Sequence, residues 1–539
     1  MDPLGQKLRD IQERLRELGL ERPRLVETKE EFGDLAVPLH REREPVSLAR
    51  RLARELSIPG VRAEALGPYL NLRFEPRALE EMLKEGVGEM GEDFGRLPRK
   101  GLRVLLEHTS ANPTGRLHVG RARNTLIGDS LRRILEFSGY DVYTEYYVND
   151  LGRQVAILVW GLLNLESLGL GEPRNIDDYS EVYVKANACG PPEDEIRDII
   201  RRYEEGEAGL RDFVRRHISK IMEELLAELE EYGIRFDGTF WESDLAWDGS
   251  ARDALRRLER RGIVKYEGKA AYVEIGGEKI YLTRSDGSTL YVLKDVAYHL
   301  NKAGRCDLMV NVLGEDHKLE AKVLSELLRS LGAPEPRVVI YSFVSLPEGR
   351  LSTRAGRVVY LKDLVQEAIE RASAEVEKRR ISGPEAARAI GLGAVKFNYL
   401  KVQPQKPISF RWEDALNFEG KAAPYVQYAH ARACSILEKA GSVPPWVTGS
   451  LVADEERSLM FQLLKFPSVV ERAAEILAPN LVAEYLLKVA DRFNAFYQKH
   501  RVLQSEEPVR SARINLVNAT RIVVKNGLYL LGIEAPEKM

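Results

Sequence analysis

Cysteine is nearly missing from this sequence: 539 residues contain three, Cys189, Cys306 and Cys434. They lie far apart and form no C-x-x-C pair, which excludes a disulfide framework and a structural zinc site and fits a reducing compartment. Long apolar runs are missing too. No stretch of roughly 18 uncharged apolar residues occurs, and Met1–Arg16 reads as a charged amphipathic helix rather than a signal peptide, so a cytoplasmic protein with no membrane association is expected. An excess of either charge is also lacking: 80 basic against 83 acidic side chains give a net charge of -3. Any nucleic-acid contact must therefore come from a local patch. There is no internal repeat and no low-complexity segment, and Gln is scarce beside Arg and Glu. What remains is 44% hydrophobic and 30% charged, an ordinary globular composition. The length calls for more than one core.

Residues 1–97 read as a small α+β domain. Leu4, Leu8, Ile11 and Leu15 share a helix face, and Leu70, Leu72 and Phe74 alternate after the Gly67-Pro68 turn. Residues 98–365 open on a βαβ unit. Its parts are the apolar strand Leu102–Leu106, the loop His108–Leu117, a helix burying Val119, Ala122, Leu126, Leu131, Ile134 and Leu135, and a strand near Val142–Val148. Gly139 stops the helix. A helical insertion is expected over about 160–235, after which Ala271–Leu293 and Asp307–Leu313 return to strand patterning. Residues 366–539, including Leu481–His500 and Val509–Leu531, form an all-α bundle. The predicted class is α/β: a Rossmann-like parallel-sheet domain between a small N-terminal α+β domain and an all-α C-terminal bundle.

The segment Glu107-His-Thr-Ser-Ala-Asn-Pro-Thr-Gly-Arg-Leu-His-Val-Gly-Arg121 sits where the first strand hands over to its helix, so helix-terminal N–H groups favour an anion there. His118 and Arg121 share one face of the first turn, and Gly120 leaves room for a flat ring. Alone, H-x-G-R is more often a plain helix start. A second element, Gly349-Arg-Leu-Ser-Thr-Arg-Ala-Gly356, adds two guanidinium groups and two hydroxyls able to wrap a triphosphate.

His118–Arg121 resembles the HIGH signature of class I aminoacyl-tRNA synthetases, and Arg350–Arg354 their KMSKS loop, in the right order and at a fitting separation. Within that class the chain is similar to the arginyl enzymes along nearly its whole length. The stretches that carry this are Tyr147–Gln154, Ser285–Gly287, Asp295–His299, Phe418–Gly420, Ala423–Arg432 and Pro536–Met539. The resemblance implies an arginine–tRNA ligase that activates L-arginine with ATP and Mg²⁺, passes it to the terminal adenosine of tRNA(Arg), releases AMP and pyrophosphate, and works as a monomer. His118, Arg121, Arg350 and Arg354 take the catalytic roles. ATP is assigned to Asn112, Pro113, Thr114, Gly115, Arg116, Leu117, His118, Val119, Gly120, Arg121, Gly314, Asp316, His317, Ser352 and Thr353. No dedicated protein metal site is implied, and no editing domain is expected. The N-terminal domain is assigned to the tRNA elbow and the bundle to the anticodon arm, with Tyr425, Gln427, Tyr428 and Arg432 in contact with tRNA.

Three positions depart from the family pattern. Arg121 stands where a second His is usual, and Arg350 and Leu351 stand where the loop usually has Lys and Met. Gly115, with Arg116 beside it, occupies the position where members with a degenerate loop carry Lys. For the amino acid, a guanidinium is a planar fork that carboxylates meet bidentately, so its pocket should hold two acids and few other charges. Glu107 and Asp295 are the candidates, and the resemblance adds Ser110, Asn112 and Tyr291. Without that context each acid would be read as a local cap or ion pair. His108, His217 and His500 are expected to be structural or surface residues. A cysteinyl or glutamyl enzyme, a tRNA-binding paralogue without activity, and a small-molecule nucleotidyltransferase are the competing readings.

Overall fold

The computed structural model describes residues 2–29, 31–345, 359–379 and 384–539, so the basic segment Arg350–Arg354, with Ser352 and Thr353, lies outside the described residues. The chain divides into two compact units, one of residues 99–368 and 402–411, the other of 1–98, 369–401 and 412–539.

The second of these begins with α1 (Pro3–Glu17), β1 (Val26–Glu27), β2 (Leu35–Pro38), α2 (Pro45–Glu55), β3 (Val61–Leu66), β4 (Tyr69–Phe74) and α3 (Pro76–Leu83). The strands form one antiparallel sheet in the order β1-β2-β4-β3. Leu70, Leu72 and Phe74 of β4 are fully buried in it.

The other unit is built on β5 (Arg103–Glu107), α4 (Val119–Phe137), β6 (Asp141–Val148), α5 (Arg153–Leu163), the helices α6 (Ile176–Cys189), α7 (Glu193–Glu204) and α8 (Ala208–Glu231), then β7 (Gly238–Trp241), α9 (Glu242–Trp247) and α10 (Ser250–Arg260). It continues through β8 (Lys265–Glu267), β9 (Ala270–Ile275), β10 (Glu278–Tyr281), α11 (Tyr291–Ala303), β11 (Leu308–Gly314), α12 (Lys318–Leu331), β12 (Arg337–Tyr341) and β13 (Val344–Ser345). Five strands make an all-parallel sheet in the order β12-β11-β5-β6-β7. Val104, Leu105 and Leu106 are buried on both faces, as a central parallel strand requires. The helix α4 buries Val119, Ala122, Leu126, Leu131, Ile134 and Leu135 as expected, and Gly139 follows it at φ +87°.

The strand patterning expected over Ala271–Leu293 is found in β9 and β10 but not at its end, where α11 begins. The strands β9 and β10 pair antiparallel through the two-residue turn Gly276-Gly277, whose φ values of +60° and +86° suit a tight hairpin, and with β8 they form a separate sheet. Tyr291 already begins α11.

The chain then runs through α13 (Leu361–Arg379), α14 (Pro384–Leu400), β14 (Ile408–Ser409), α15 (Trp412–Ala415), α16 (Ala423–Ala440), α17 (Asp454–Leu464), α18 (Phe466–Glu475), α19 (Asn480–Lys499) and α20 (Val509–Leu530). One strand interrupts the expected run of helices: β14 pairs parallel with β13. The fully buried Arg123 explains it, since its guanidinium donates to the carbonyls of Ser342 (2.8 Å), Lys406 (2.7 Å) and Gln403 (3.0 Å) and so ties 403–406 to α4. In the bundle's unit, Glu80 of α3 accepts the Leu451 N–H at 2.8 Å and that of Gly449, and the buried Asp34 pairs with Arg457. The N-terminal sheet is thereby packed on the bundle. No helix among the described residues is long and apolar enough to cross a membrane.

Candidate functional site

The strand order places β5 and β11 side by side where the connections leave in opposite directions, and in doubly wound sheets ligands bind at the carboxyl ends of such strands. A cavity of about 430 Å³ lies there. Its walls include Glu107, Ser110, Asn112, Tyr291 and Asp295, so all five residues singled out for the amino acid meet in one place. Arg121, Gly314 and His317 of the nucleotide set also line it. Pro113, Thr114, Gly115, Arg116, Leu117, His118, Val119, Gly120 and Asp316 do not.

The two acids differ. Glu107 is buried at the end of β5 and paired with the fully buried Lys302 of α11. Lys302 also donates to Asn311 Oδ1 (3.0 Å), the β11 residue in register with Glu107. The Asn311 amide donates to His299 Nε2 (2.7 Å), whose Nδ1–H donates to the Asp295 carbonyl (2.8 Å). That fixes a neutral imidazole, and burial holds its pKa well below the usual histidine range. The Asp295 carboxylate meets no donor among the described residues. Burial, and then the charges of Glu242 and Glu107, push its pKa up to about 8. Glu242 is buried as well and raised to about 7 by burial, although Lys294 stands 3.4 Å away.

The turn after β5 is strained. Thr109 and Ser110 have φ of +68° and +37°, values costly for a β-branched residue in particular. The Asn124 side chain of α4 holds this turn: Oδ1 accepts the Thr109 N–H (2.7 Å) while Nδ2 donates to the Val312 carbonyl (2.8 Å). Ser110 Oγ accepts the Tyr147 N–H (3.2 Å), which locks β6 to the same corner.

The helix-terminal amides of α4 are not left open, which corrects the expectation drawn from the motif. Val119 N–H donates to the Val359 carbonyl (2.9 Å), Gly120 N–H to His118 Nδ1 (3.0 Å) and Arg121 N–H to the His118 carbonyl (2.9 Å). Anion binding at this turn therefore falls to side chains and the helix dipole. Burial and the neighbouring Arg121 lower the His118 pKa, and with Nδ1 accepting, the proton of its neutral ring sits on Nε2 as a donor. The Arg116 guanidinium is engaged by Asp177 and Glu228.

On the bundle, Arg432 lies between the rings of Tyr428 (4.6 Å) and Tyr497 (4.7 Å) and donates to Asn494 (2.7 Å). The Tyr425 hydroxyl donates to Asp491 (2.7 Å). Gln427 is a correction: it is fully buried, with its amide on the carbonyls of Ala389 (3.1 Å) and Glu534 (2.9 Å), so its side chain is part of the bundle's interior.

Sequence reasoning missed Lys302, Asn311, Glu242 and Tyr497. Asp295, His299 and Lys302 follow at spacings of four and three along α11, which marks one helix face. Asn311 breaks the apolar run of β11. Nothing in the sequence pointed to Glu242 or Tyr497.

Residues 91–412 match the family model for the catalytic domain of tRNA synthetases class I (R), and 426–539 match the DALR anticodon binding domain. The arginine–tRNA ligase of Methanocella arvoryzae is 40% identical over 496 residues, covering 89% of this chain and 87% of that protein. That of Archaeoglobus fulgidus is 38% identical over 558 residues, covering 99% and 100%. The solved arginyl-tRNA synthetase of Thermus thermophilus matches with a TM-score of 0.86 at 30% identity, with both chains fully covered.

Proposed function

Because this chain belongs to the arginyl-tRNA synthetases of class I, we propose that the cavity between β5 and β11 holds arginine, with Asp295 and Glu107 as the acids that meet its guanidinium. The protein is an arginine–tRNA ligase that uses ATP, arginine and tRNA. One observation carries the assignment of the pocket: the Asp295 carboxyl group lines the cavity with no donor among the described residues, whereas Glu107 and Glu242 have lysine partners and Glu320 has His317.

The arginine carboxylate is ionised at neutral pH and needs no general base to attack the α-phosphorus, so catalysis reduces to positioning and charge stabilisation. His118 Nε2–H and Arg121 are the donors for phosphate, and Arg350, Ser352, Thr353 and Arg354 are assigned to the departing pyrophosphate by resemblance. Mg²⁺ is proposed as the counter-ion arriving with ATP. Attack by a ribose hydroxyl of the terminal adenosine on the adenylate then releases AMP. Tyr425, Tyr428 and Arg432, joined by Tyr497, are the proposed tRNA-facing set of the bundle, since stacked aromatic and guanidinium groups suit unpaired bases. The N-terminal sheet is assigned to the tRNA elbow. The protein is proposed to act as a cytoplasmic monomer.

Arginine activation is expected to require tRNA, because Arg121 and Arg350 are long, permanently charged side chains at positions where the family usually has His and Lys, and ordering such chains around phosphate costs rotamer entropy. ATP–pyrophosphate exchange with arginine should be near background without tRNA. Cognate tRNA, including tRNA with an oxidised terminal ribose, should restore it. Robust exchange without tRNA would rule this out. Charging of total tRNA with labelled arginine, and not with labelled glutamate or cysteine, tests the reading as a whole.

A pH dependence follows from Asp295. Its folded-state pKa of about 8 leaves the free site mostly protonated at neutral pH, and a guanidinium needs the carboxylate. Arginine binding should strengthen as pH rises from 6 to 8, by at most about tenfold per unit for one linked proton, and then level off. Glu242, Glu107, Glu320 and Lys302 are the charges acting on Asp295, and Glu242 adds to the rise near pH 7. Calorimetry in buffers of different ionisation heat should register a released proton. A flat profile would contradict the assignment.

A further inference from the structure

The insertion α6–α8 meets the segment leading into the His118 turn at Gly115 and Arg116. The Arg116 N–H donates to Ser180 Oγ (3.1 Å), and Ser180 in turn donates to the Ile176 carbonyl (2.8 Å) in the first turn of α6. Gly115 permits this approach: its φ is +143°, and a Cβ there would collide with Ser180. The Arg116 guanidinium then spans two helices of the insertion. It grips Asp177 of α6 with Nε and Nη2, the latter at 2.8 Å, and reaches Glu228 of α8 with Nη1. Both its side chain and that of Glu228 are nearly buried, at 11% and 9% exposure, so the pair is little screened by solvent. The hydrogen bond to Asp177 raises the Arg116 pKa further and lowers that of Asp177, while burial raises that of Glu228.

On its other side the same turn is bound to the stretch that follows the basic segment in sequence. Val119 N–H donates to the Val359 carbonyl (2.9 Å), Leu361 N–H donates to the Leu117 carbonyl (2.9 Å), and His118 faces Tyr360 in an antiparallel bridge. A three-residue turn carrying His118 is thus held by the insertion at one end and by 359–361 along its length. Leu117 and Val119 are buried while His118 between them is exposed, so these bonds add to the packing in setting how the turn presents His118.

We propose that Arg116 is a positioning residue for ATP, which fixes the 117–121 turn by clamping it to α6 and α8 and does not itself meet phosphate. The proposal rests on the reading that this turn contacts ATP. It also gives the insertion a part in the reaction: Asp177 and Glu228, far from any ligand-binding motif in sequence, set the orientation of His118 and Arg121.

The test measures KM for ATP and for arginine, and kcat, in tRNA-supported aminoacylation by the full chain. Arg116→Ala should raise the ATP KM about tenfold with little change in the arginine KM. The double variant Asp177→Asn/Glu228→Gln should do the same, and adding Arg116→Ala to it should cost little more, because all three changes open one clamp. Arg116→Lys should recover little of the loss, because one ammonium cannot span both carboxylates as the guanidinium fork does; full recovery by lysine would show that only the charge matters and would refute the clamp. If the acid double variant leaves the ATP KM unchanged while Arg116→Ala raises it, Arg116 meets phosphate directly and the clamp is refuted. If ATP and arginine KM rise together in every variant, the cluster only supports the fold, and the proposal fails. His118→Ala serves as the reference: should it leave ATP KM and kcat unchanged, the reading of the turn itself falls, a failure distinguishable from that of the clamp alone.

Discussion

Asp295→Asn is expected to raise the KM for arginine by about 2–5 kcal/mol, roughly thirty-fold at the lower end, with the ATP KM little changed. Asparagine keeps the volume of the side chain and removes only its charge, so the cavity should keep its shape. Two effects then oppose each other. Losing the carboxylate leaves a desolvated guanidinium facing Glu107, whose charge is already shared with Lys302. Against that, the wild-type carboxyl is largely protonated at pH 7, because burial has moved its pKa to about 8, and arginine must displace that proton at about 1.4 kcal/mol per pH unit. The first effect wins at every pH where the fork can form. The penalty should grow between pH 7 and pH 8.5, and the pH dependence of arginine binding should flatten in the variant. An arginine KM equal to that of the wild type at pH 8.5 would remove Asp295 from the pocket.

The parallel sheet was legible because Val104–Leu106 and Leu308–Val310 are short apolar runs in turn-bounded segments, the pattern of strands buried inside a sheet. The strands β9 and β10 were legible too, but not the sheet they belong to: Ala271 to Val273 is apolar without alternation, and only the Gly276-Gly277 turn distinguishes an antiparallel pair from a strand of the main sheet. The pairing of β14 with β13 could not be read at all. It depends on Arg123, which looks like a solvent-facing residue of an amphipathic helix and is instead fully buried on three carbonyls distant in sequence.

In the site, the acids were found by chemistry, since a guanidinium calls for carboxylates, whereas their partners were not. Lys302 is named by no motif. Its function comes from the register that sets Asn311 of β11 beside Glu107 of β5, and register is a property of the assembled sheet. The open helix-terminal amides inferred from the His118 motif failed on a local detail: His118 turns its ring back onto the Gly120 N–H, a cap that competes with any ligand for the same donor. Gln427 failed on burial, which a ten-residue helical motif cannot report when both faces of the helix are packed.

Lys302→Met is expected to destabilise the parallel-sheet unit by about 3–5 kcal/mol, the usual cost of removing one partner from a buried ion pair. Methionine matches the stem of lysine, so little cavity is created, and the loss comes from what the ammonium leaves behind. Glu107 is stranded in a buried position, Asn311 Oδ1 loses its donor, and the Tyr298 ring loses a cation 4.1 Å from its centre. Urea unfolding followed by hydrogen exchange in β5 and β11 reads the effect where it arises, without assuming one transition for a chain of two units. Adding Glu107→Gln removes the stranded charge, so the double variant should regain most of the stability. It should not regain arginine affinity. That separation distinguishes two explanations for Glu107: a carboxylate present only to satisfy Lys302 would give a double variant normal in both respects, whereas a carboxylate that lysine holds in place for the guanidinium gives a stable protein with a raised arginine KM. If Lys302→Met is as stable as the wild type, the ion pair does not stabilise this corner of the sheet, and Glu107 must be held by the strand itself.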